Sequence, residues 1–240
     1  MSKEKLILAL DVPNPNEARE IVTELGEIVG AFKIGLQLFT AGGPTLVKEV
    51  VDAGHRVFLD LKFHDIPNTV ANAGIEAARL GVWMFNLHAL GGGEMLKKTV
   101  DAVDGVCGKE NLARPFIIGV TVLTSSDQNT LGEIGLDRNV GDQVLNLAKL
   151  TAEYGLDGVV ASAHECLAIR EAVASRDFLI VTPGIRPITA TNDDQKRVTT
   201  PTAALNAGAD YLVIGRPILE APNRRKAVDD ILSEIELAGQ

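Results

Sequence analysis

Short apolar runs and amphipathic stretches alternate along nearly the whole chain, and this alternation is the strongest constraint on its fold. The apolar runs fall at 5–11, 31–36, 56–62, 82–88, 116–123, 158–162, 178–182 and 211–215 and read as strands. Between and after them lie segments with apolar residues near a 3.6-residue period, at 14–25, 44–53, 67–80, 94–103, 140–154, 165–174, 201–207 and 224–237. Val140, Val144, Leu147, Ala148 and Leu150 show the helical spacing. Asn and Pro stand at helix starts, as in Asn14-Pro15-Asn16 and Asp65-Ile66-Pro67. Glycine follows helix ends at Ala53-Gly54, Leu80-Gly81, Tyr154-Gly155 and Ala207-Gly208. Strands alternating with helices imply a parallel sheet, open or closed. An open doubly wound sheet usually begins with a GxGxxG turn after its first strand, and here that place holds Asp11-Val12-Pro13-Asn14. Eight units in 240 residues match the (β/α)8 TIM barrel, which typically takes about 250. The expectation is one α/β domain over 1–240.

In such a barrel the active site forms where the strands end. The sequence puts charge there. Strand one runs Leu6-Ile7-Leu8-Ala9-Leu10 into Asp11, strand two carries Lys33, and strand three ends Leu59-Asp60-Leu61-Lys62-Phe63-His64-Asp65. Side chains alternate faces along a strand, so Asp60 and Lys62 share one face and Leu59, Leu61 and Phe63 the other. The apolar set should meet the helices, leaving Asp60 and Lys62, with Asp11 and Lys33, to face the mouth. A self-satisfied structural ion-pair network is the plain alternative, but a stability-driven core more often uses apolar residues. Four charges on three consecutive strands, with Asp65 beyond, point to function.

An ammonium flanked by carboxylates stays protonated and suits proton donation better than nucleophilic attack. A carboxylate with no free cation to pair with would repel an anionic group on a bound substrate. Decarboxylation followed by protonation of a carbanion fits this pairing. A Mg²⁺ site needs carboxylates free to face the ion, and the interleaved lysines take that place. His55, His64, His88 and His164 show no HxH or HExxH spacing, so no metal is expected. His88 is expected to play a hydrogen-bonded supporting part, and Gly91-Gly92-Gly93 reads as a tight connection.

A second constellation lies at the far end of the chain. Strand seven runs into Thr182-Pro183-Gly184-Ile185-Arg186-Pro187, and strand eight into Ile214-Gly215-Arg216-Pro217. Barrels often bind phosphate with the loops after these two strands. Glycine lets backbone N–H groups approach an anion, and arginine adds bidentate hydrogen bonds. Turn glycines with surface arginines would explain either motif alone, whereas both together point to phosphate. The polar stretch 187–197 is long for a βα loop and suits a lid, with Gln195 placed to bridge phosphate and base.

The formal net charge of −9, with 32 acidic against 23 basic residues, argues against nucleic acid and anionic membranes as partners. The apolar run near the N-terminus is too short for a signal-peptide core or a membrane span. Cys107 and Cys166 lie in no metal-like pattern, and the cytoplasm is the expected location.

Asp60-Leu61-Lys62-Phe63-His64-Asp65-Ile66-Pro67-Asn68-Thr69 closely resembles the DxKxxDIPNT signature of the orotidine 5′-phosphate decarboxylase family. The resemblance extends to Ala9-Leu10-Asp11, Phe32-Lys33-Ile34-Gly35, 120–125, 182–186 and Ile214-Gly215-Arg216. A bare DxKxxD is shared with metal-dependent sugar-phosphate decarboxylases and aldolase-like relatives; the IPNT extension is more specific. The resemblance implies cofactor-free decarboxylation of orotidine 5′-monophosphate, the last step of pyrimidine nucleotide synthesis, by a homodimer with sites at the subunit interface. It implies that Lys62 protonates C6, that Asp60 and Asp65 disfavour the substrate carboxylate, and that Lys33 and Asp11 hold the ribose hydroxyls. Asp65 and Thr69 would reach in from the partner, and Thr124 would contact the base. Arg186, Gln195, Gly215 and Arg216 would grip the phosphate, with Pro183 among the substrate-binding positions. Two other readings stay open here: a Mg²⁺-dependent enzyme on a linear sugar phosphate, and a non-catalytic nucleotide-binding barrel.

Overall fold

The computed structural model describes residues 2–175, 177–187 and 199–238. Eight parallel strands close into a barrel in chain order: β1 (Leu6–Ala9), β2 (Ala31–Gly35), β3 (Val57–Phe63), β4 (Met84–His88), β5 (Phe116–Val120), β6 (Gly158–Val160), β7 (Leu179–Thr182) and β8 (Tyr211–Ile214). Closure comes from β1 against β8, where Leu6, Ile7 and Leu8 stand opposite Leu212, Val213 and Ile214. The expected fold class is the observed one.

The helices outside the barrel are α1 (Pro15–Leu25), α2 (Leu36–Asp52), α3 (Pro67–Arg79), α4 (Gly92–Glu110), α5 (Gln128–Glu133), α6 (Val140–Glu153), α7 (Cys166–Ala172), α8 (Pro201–Asn206), α9 (Arg216–Leu219) and α10 (Arg224–Leu237). Their starts follow local chemistry. The Asn14 side chain accepts from the Asn16 N–H with Pro15 in the first turn, and Asn223 accepts from the Lys226 N–H. Gly155 follows α6 with φ of 79°, a left-handed conformation that releases the chain toward β6 at little steric cost.

Alternation along each strand sorts the core into two layers. Leu6, Leu8, Phe32, Ile34, Leu59 and Phe85 face the helices. Ile7, Ala31, Phe58, Met84, Ile118, Val181 and Val213 fill the barrel interior. At the N-terminal face two aspartates tie neighbouring strands. Asp157 accepts from the Ile117 N–H at 2.7 Å and from Arg114; Asp210 accepts from the Ile180 N–H at 2.7 Å and from Arg170. The cavity opens at the opposite, C-terminal end of the strands.

The structure departs from the sequence reading in several places. The helix expected from Pro44 begins at Leu36, because a first limb is joined to it across a kink at Gly43 (φ 62°) and Pro44. Helix α4 starts inside the glycine triplet and runs on to Glu110, carried by buried Val106 and Cys107. Strand five stops at Val120 rather than at 123, and the short helices α5 and α9 were not anticipated. Each is a single turn or so, too short to leave a periodic signature.

Gly158 marks the tightest strand contact. A Cβ there would collide with the Leu179 carbonyl oxygen on β7. Gly158→Ala is expected to destabilise the barrel by about 1–3 kcal/mol, the usual cost of overpacking, read as a lower urea midpoint at unchanged slope.

Candidate active site

Two residues up from the inner apolar layer, the strands diverge in chemistry. Strands β2, β3 and β4 place Lys33, Asp60 and Asn86 at this level, and Asp11 follows the end of β1. Strands β5 and β6 place Val120 and Val160 there. The mouth therefore has a charged half and an apolar half. Between them lies a cavity of about 320 Å³, within the usual range for small-molecule sites. Asp11, Lys33, Asp60, Lys62, Thr124, Pro183, Arg186, Gly215 and Arg216 all line it.

The charged half is one connected chain. Lys33 Nζ lies 3.0 Å from Asp11 Oδ1 and 3.2 Å from Asp60 Oδ2, and Lys62 Nζ donates to Asp60 Oδ1 at 2.6 Å. Asp60 thus gives one oxygen to each lysine. Burial by itself would lower the pKa of Lys33, yet Asp60 and Asp11 outweigh it and leave that ammonium above the ordinary lysine value. Burial would likewise raise Asp60, but Lys33 and Lys62 hold its carboxyl below the usual aspartate range. Both side chains are almost nine-tenths buried. Removing either leaves an unpaired buried charge, which typically costs about 3–5 kcal/mol.

Local backbone aims Lys62. Leu59 stands opposite Phe85 and Phe63 opposite Leu87, so β3 spends four residues where β4 spends two. Lys62 sits in this bulge with φ of 51°. Bulges re-aim side chains near active sites. Alternation survives it: Leu59, Leu61 and Phe63 pack on the helix side, while Phe58, Asp60 and Lys62 line the cavity.

Other residues fall elsewhere. Asp11 lies beyond β1, which ends at Ala9, and its side chain is 55% exposed. Asp65 is exposed, its carboxylate accepts from the Ile66 N–H at 2.6 Å, and it does not line the chain's own cavity. Thr69, in the first turn of α3, is exposed and equally outside it. Gln195, and the lid stretch apart from Pro187, lie outside the described residues. The feet of that stretch are tied, since Ile185 bridges Thr199 and the Arg186 N–H donates to the Thr199 carbonyl at 3.0 Å. Gly215 packs closely: a Cβ there would lie 3.3 Å from both Ala9 Cβ and Asp11 Oδ2.

His88 differs from its expected hydrogen-bonded part. Its Nδ1 is buried without a partner among the described residues, and its ring lies 5.4 Å from that of His64. The sequence reading also passed over Asn86, completely buried and bonded to both Asp60 and the Lys62 backbone. Its signal was a polar side chain set between apolar Phe85 and Leu87 in the middle of a strand. The apolar wall of Val120, Val160 and Val213 was likewise not singled out.

Fold and mouth together define a class: a (β/α)8-barrel enzyme with its cleft at the C-terminal face. The sequence model described as "Orotidine 5′-phosphate decarboxylase / HUMPS family" matches residues 4–231, and the chain belongs to that family. A protein of Geotalea daltonii named orotidine 5′-phosphate decarboxylase is 52% identical over 234 residues, covering 98% of this chain and 97% of its own. One of Geobacter metallireducens with the same name is 53% identical, with the same coverage. The crystal structure of orotidine 5′-phosphate decarboxylase from Lactobacillus acidophilus superposes with a TM-score of 0.83 at 36% identity, over 96% of this chain and 98% of that one.

Burial, followed by the positive surroundings of His64 and Lys62, holds His88 below the ordinary histidine value, with Asp60 acting against the shift. The unfolded chain therefore binds a proton at this position more readily than the folded one, so the position costs stability as pH falls below about 6.5. Urea unfolding at pH 7.5 and 5.5 is expected to show a smaller acid loss for His88→Gln than for the parent.

Proposed function

We propose that this chain, as a single barrel domain over 1–240, decarboxylates orotidine 5′-monophosphate to uridine 5′-monophosphate, the last step of de novo pyrimidine nucleotide synthesis, with Lys62 as the proton donor. The carrying observation is the Asp11–Lys33–Asp60–Lys62 chain facing a cavity that Arg186, Gly215 and Arg216 also line, in a chain about half identical to decarboxylases of that name along its whole length.

The chemistry follows from this arrangement. When the C6 carboxylate leaves as CO₂, the electron pair of the broken bond stays on C6, in the ring plane and away from the π system. Fixed charge must then stabilise it. The Lys62 ammonium supplies that charge and passes its proton to C6; water returns a proton to the amine. Asp60 meets the substrate carboxylate as a like charge before the bond breaks and ceases to oppose it once CO₂ is neutral. Being paired, Asp60 stays ionised throughout the neutral range.

Lys33 and Asp11 suit the ribose hydroxyls, Thr124 the base edge, and Pro183 and the apolar wall the face of the ring. Arg186, Gly215 and Arg216, with Gln195 from the lid, suit the phosphate. Binding there, remote from C6, is converted into rate by holding the ring against Lys62. The reaction draws on no metal or cofactor. No helix among the described residues is long and apolar enough to cross a membrane. We place the enzyme in the cytoplasm, with the pyrimidine nucleotide synthesis it serves.

A homodimer completes the site in this reading. Asp65 and Thr69 are exposed and outside their own cavity, and Leu36, Ile66, Leu90 and Leu123 are exposed apolar side chains just beyond β2, β3, β4 and β5. Exposed apolar side chains on the rim of the mouth suit burial against a second copy that lends Asp65 and Thr69, with Leu123 also lining the chain's own cavity.

Consumption of orotidine 5′-monophosphate, followed by absorbance with EDTA present, is expected in the parent and to fall by more than about 10³-fold in Lys62→Ala. Parental turnover by that variant would remove the proposed donor. Lys62→Ala and Asp65→Asn should each be inactive, while subunits exchanged between them should recover about a quarter of parental activity. Half of such dimers carry one intact site of two. No recovery would place Asp65 outside the partner's site.

A further inference from the structure

We infer that Asn86 is a positioning residue for the proton donor: its single amide fixes both the backbone from which Lys62 projects and the carboxylate that steers the Lys62 ammonium. The inference rests on the decarboxylase reading above and concerns a residue that cannot itself touch substrate. Asn86 lies on β4 with no exposed surface and does not line the cavity.

Its two hydrogen bonds divide the task. Asn86 Oδ1 accepts from the Lys62 N–H at 2.8 Å, and Asn86 Nδ2 donates to Asp60 Oδ1 at 2.7 Å. That carboxylate oxygen also receives Lys62 Nζ at 2.6 Å. A closed loop results, running from the Lys62 backbone through the amide and the carboxylate to the Lys62 ammonium. Turning the amide over would set donor against donor and acceptor against carboxylate, so its orientation is forced.

The loop answers a specific problem. Among the described residues only Lys62 and Asn111 adopt positive φ without being glycine, and Asn111 does so as a helix C-cap, where asparagine is at home. Lysine has no such preference. In the bulge between Leu59 and Phe63 the β4 ladder gives the Lys62 N–H no regular backbone partner. The Asn86 side chain stands in for it. Strained conformations at active sites persist only where their surroundings over-determine them, and here one buried side chain does so.

Replacing Asn86 changes both ends of the loop at once. Leucine or alanine leaves the bulged N–H and one Asp60 lone pair unanswered. Aspartate keeps the acceptor for the Lys62 N–H but sets a second carboxylate against Asp60 unless it takes up a proton, whereupon its O–H replaces the amide donor.

The test compares the parent with Asn86→Ala and Asn86→Asp by steady-state decarboxylation of orotidine 5′-monophosphate, thermal unfolding and crystallography. For Asn86→Ala, kcat is expected to fall about 10²-fold, the scale set by misplacing a reacting group by an ångström, with KM changing far less because the phosphate end is untouched. For Asn86→Asp, kcat should be depressed at neutral pH and recover toward low pH, an acid-side gain the parent lacks. Crystals of Asn86→Ala should show Lys62 out of the left-handed region with its Nζ displaced from Asp60. Parental kcat per folded molecule in Asn86→Ala, a pH profile for Asn86→Asp that tracks the parent, or an unmoved Lys62 would each overturn the inference. A parent inactive on this nucleotide would instead sink the functional reading, while the crystal comparison would still decide whether Asn86 places Lys62.

Discussion

The whole mouth of the barrel hangs on one carboxylate shared by two ammonium groups. Asp60 gives an oxygen to each of Lys33 and Lys62 and sits almost wholly out of water. Three buried or half-buried charges are tolerable together because each has its counter-charge within 3.2 Å; singly, each would be expelled or neutralised. The pairing keeps the groups ionised, and ionised groups held rigid in a low-dielectric cleft give a site its electrostatic leverage. Stability is not the reason to build such a network, since apolar residues of similar volume would usually serve a core as well.

The barrel supplies the rigidity. Its inner apolar layer forms a floor beneath the charges, and the N-terminal face is tied by Asp157 and Asp210 reaching across to β5 and β7. Above that floor the mouth splits into a charged side on β1 to β4 and an apolar side on β5 and β6, with arginines at the ends of β7 and β8. In the proposed reading, a flat ligand with an anionic tail lies with its ring edge toward the lysines, its ring face against valine and its tail toward Arg186 and Arg216. Orientation is thereby set by the asymmetry of the walls more than by any single contact.

Strain and specificity meet at residue 62. The bulge in β3 costs backbone regularity and gains aim, lifting the ammonium toward the cavity while Leu61 and Phe63 stay packed on the helical shell. Regular alternation alone would have put Lys62 on the inward face but left its height and tilt to the strand. The chain uses a buried amide to hold that irregular geometry.

Much of this was legible in the residues themselves. Periodicity gives eight strand–helix units, and because side chains alternate along a strand, Asp60 and Lys62 can be assigned to the inward face from the residues alone, with Asp11 and Lys33 expected beside them. The arginines after strands seven and eight were equally plain, since strand ends are read directly from where apolar runs stop. What stayed hidden depended on neighbours far off in sequence. The β3 bulge is a mismatch between two strands, Asn86 matters only because β4 lies beside β3, and Asp65 and Thr69 prove to lie outside their own cavity only once α3 is placed. A sequence fixes which side chain faces which way along its own element, by local stereochemistry; the meeting of one element's side chain with another's backbone is decided only when the barrel closes.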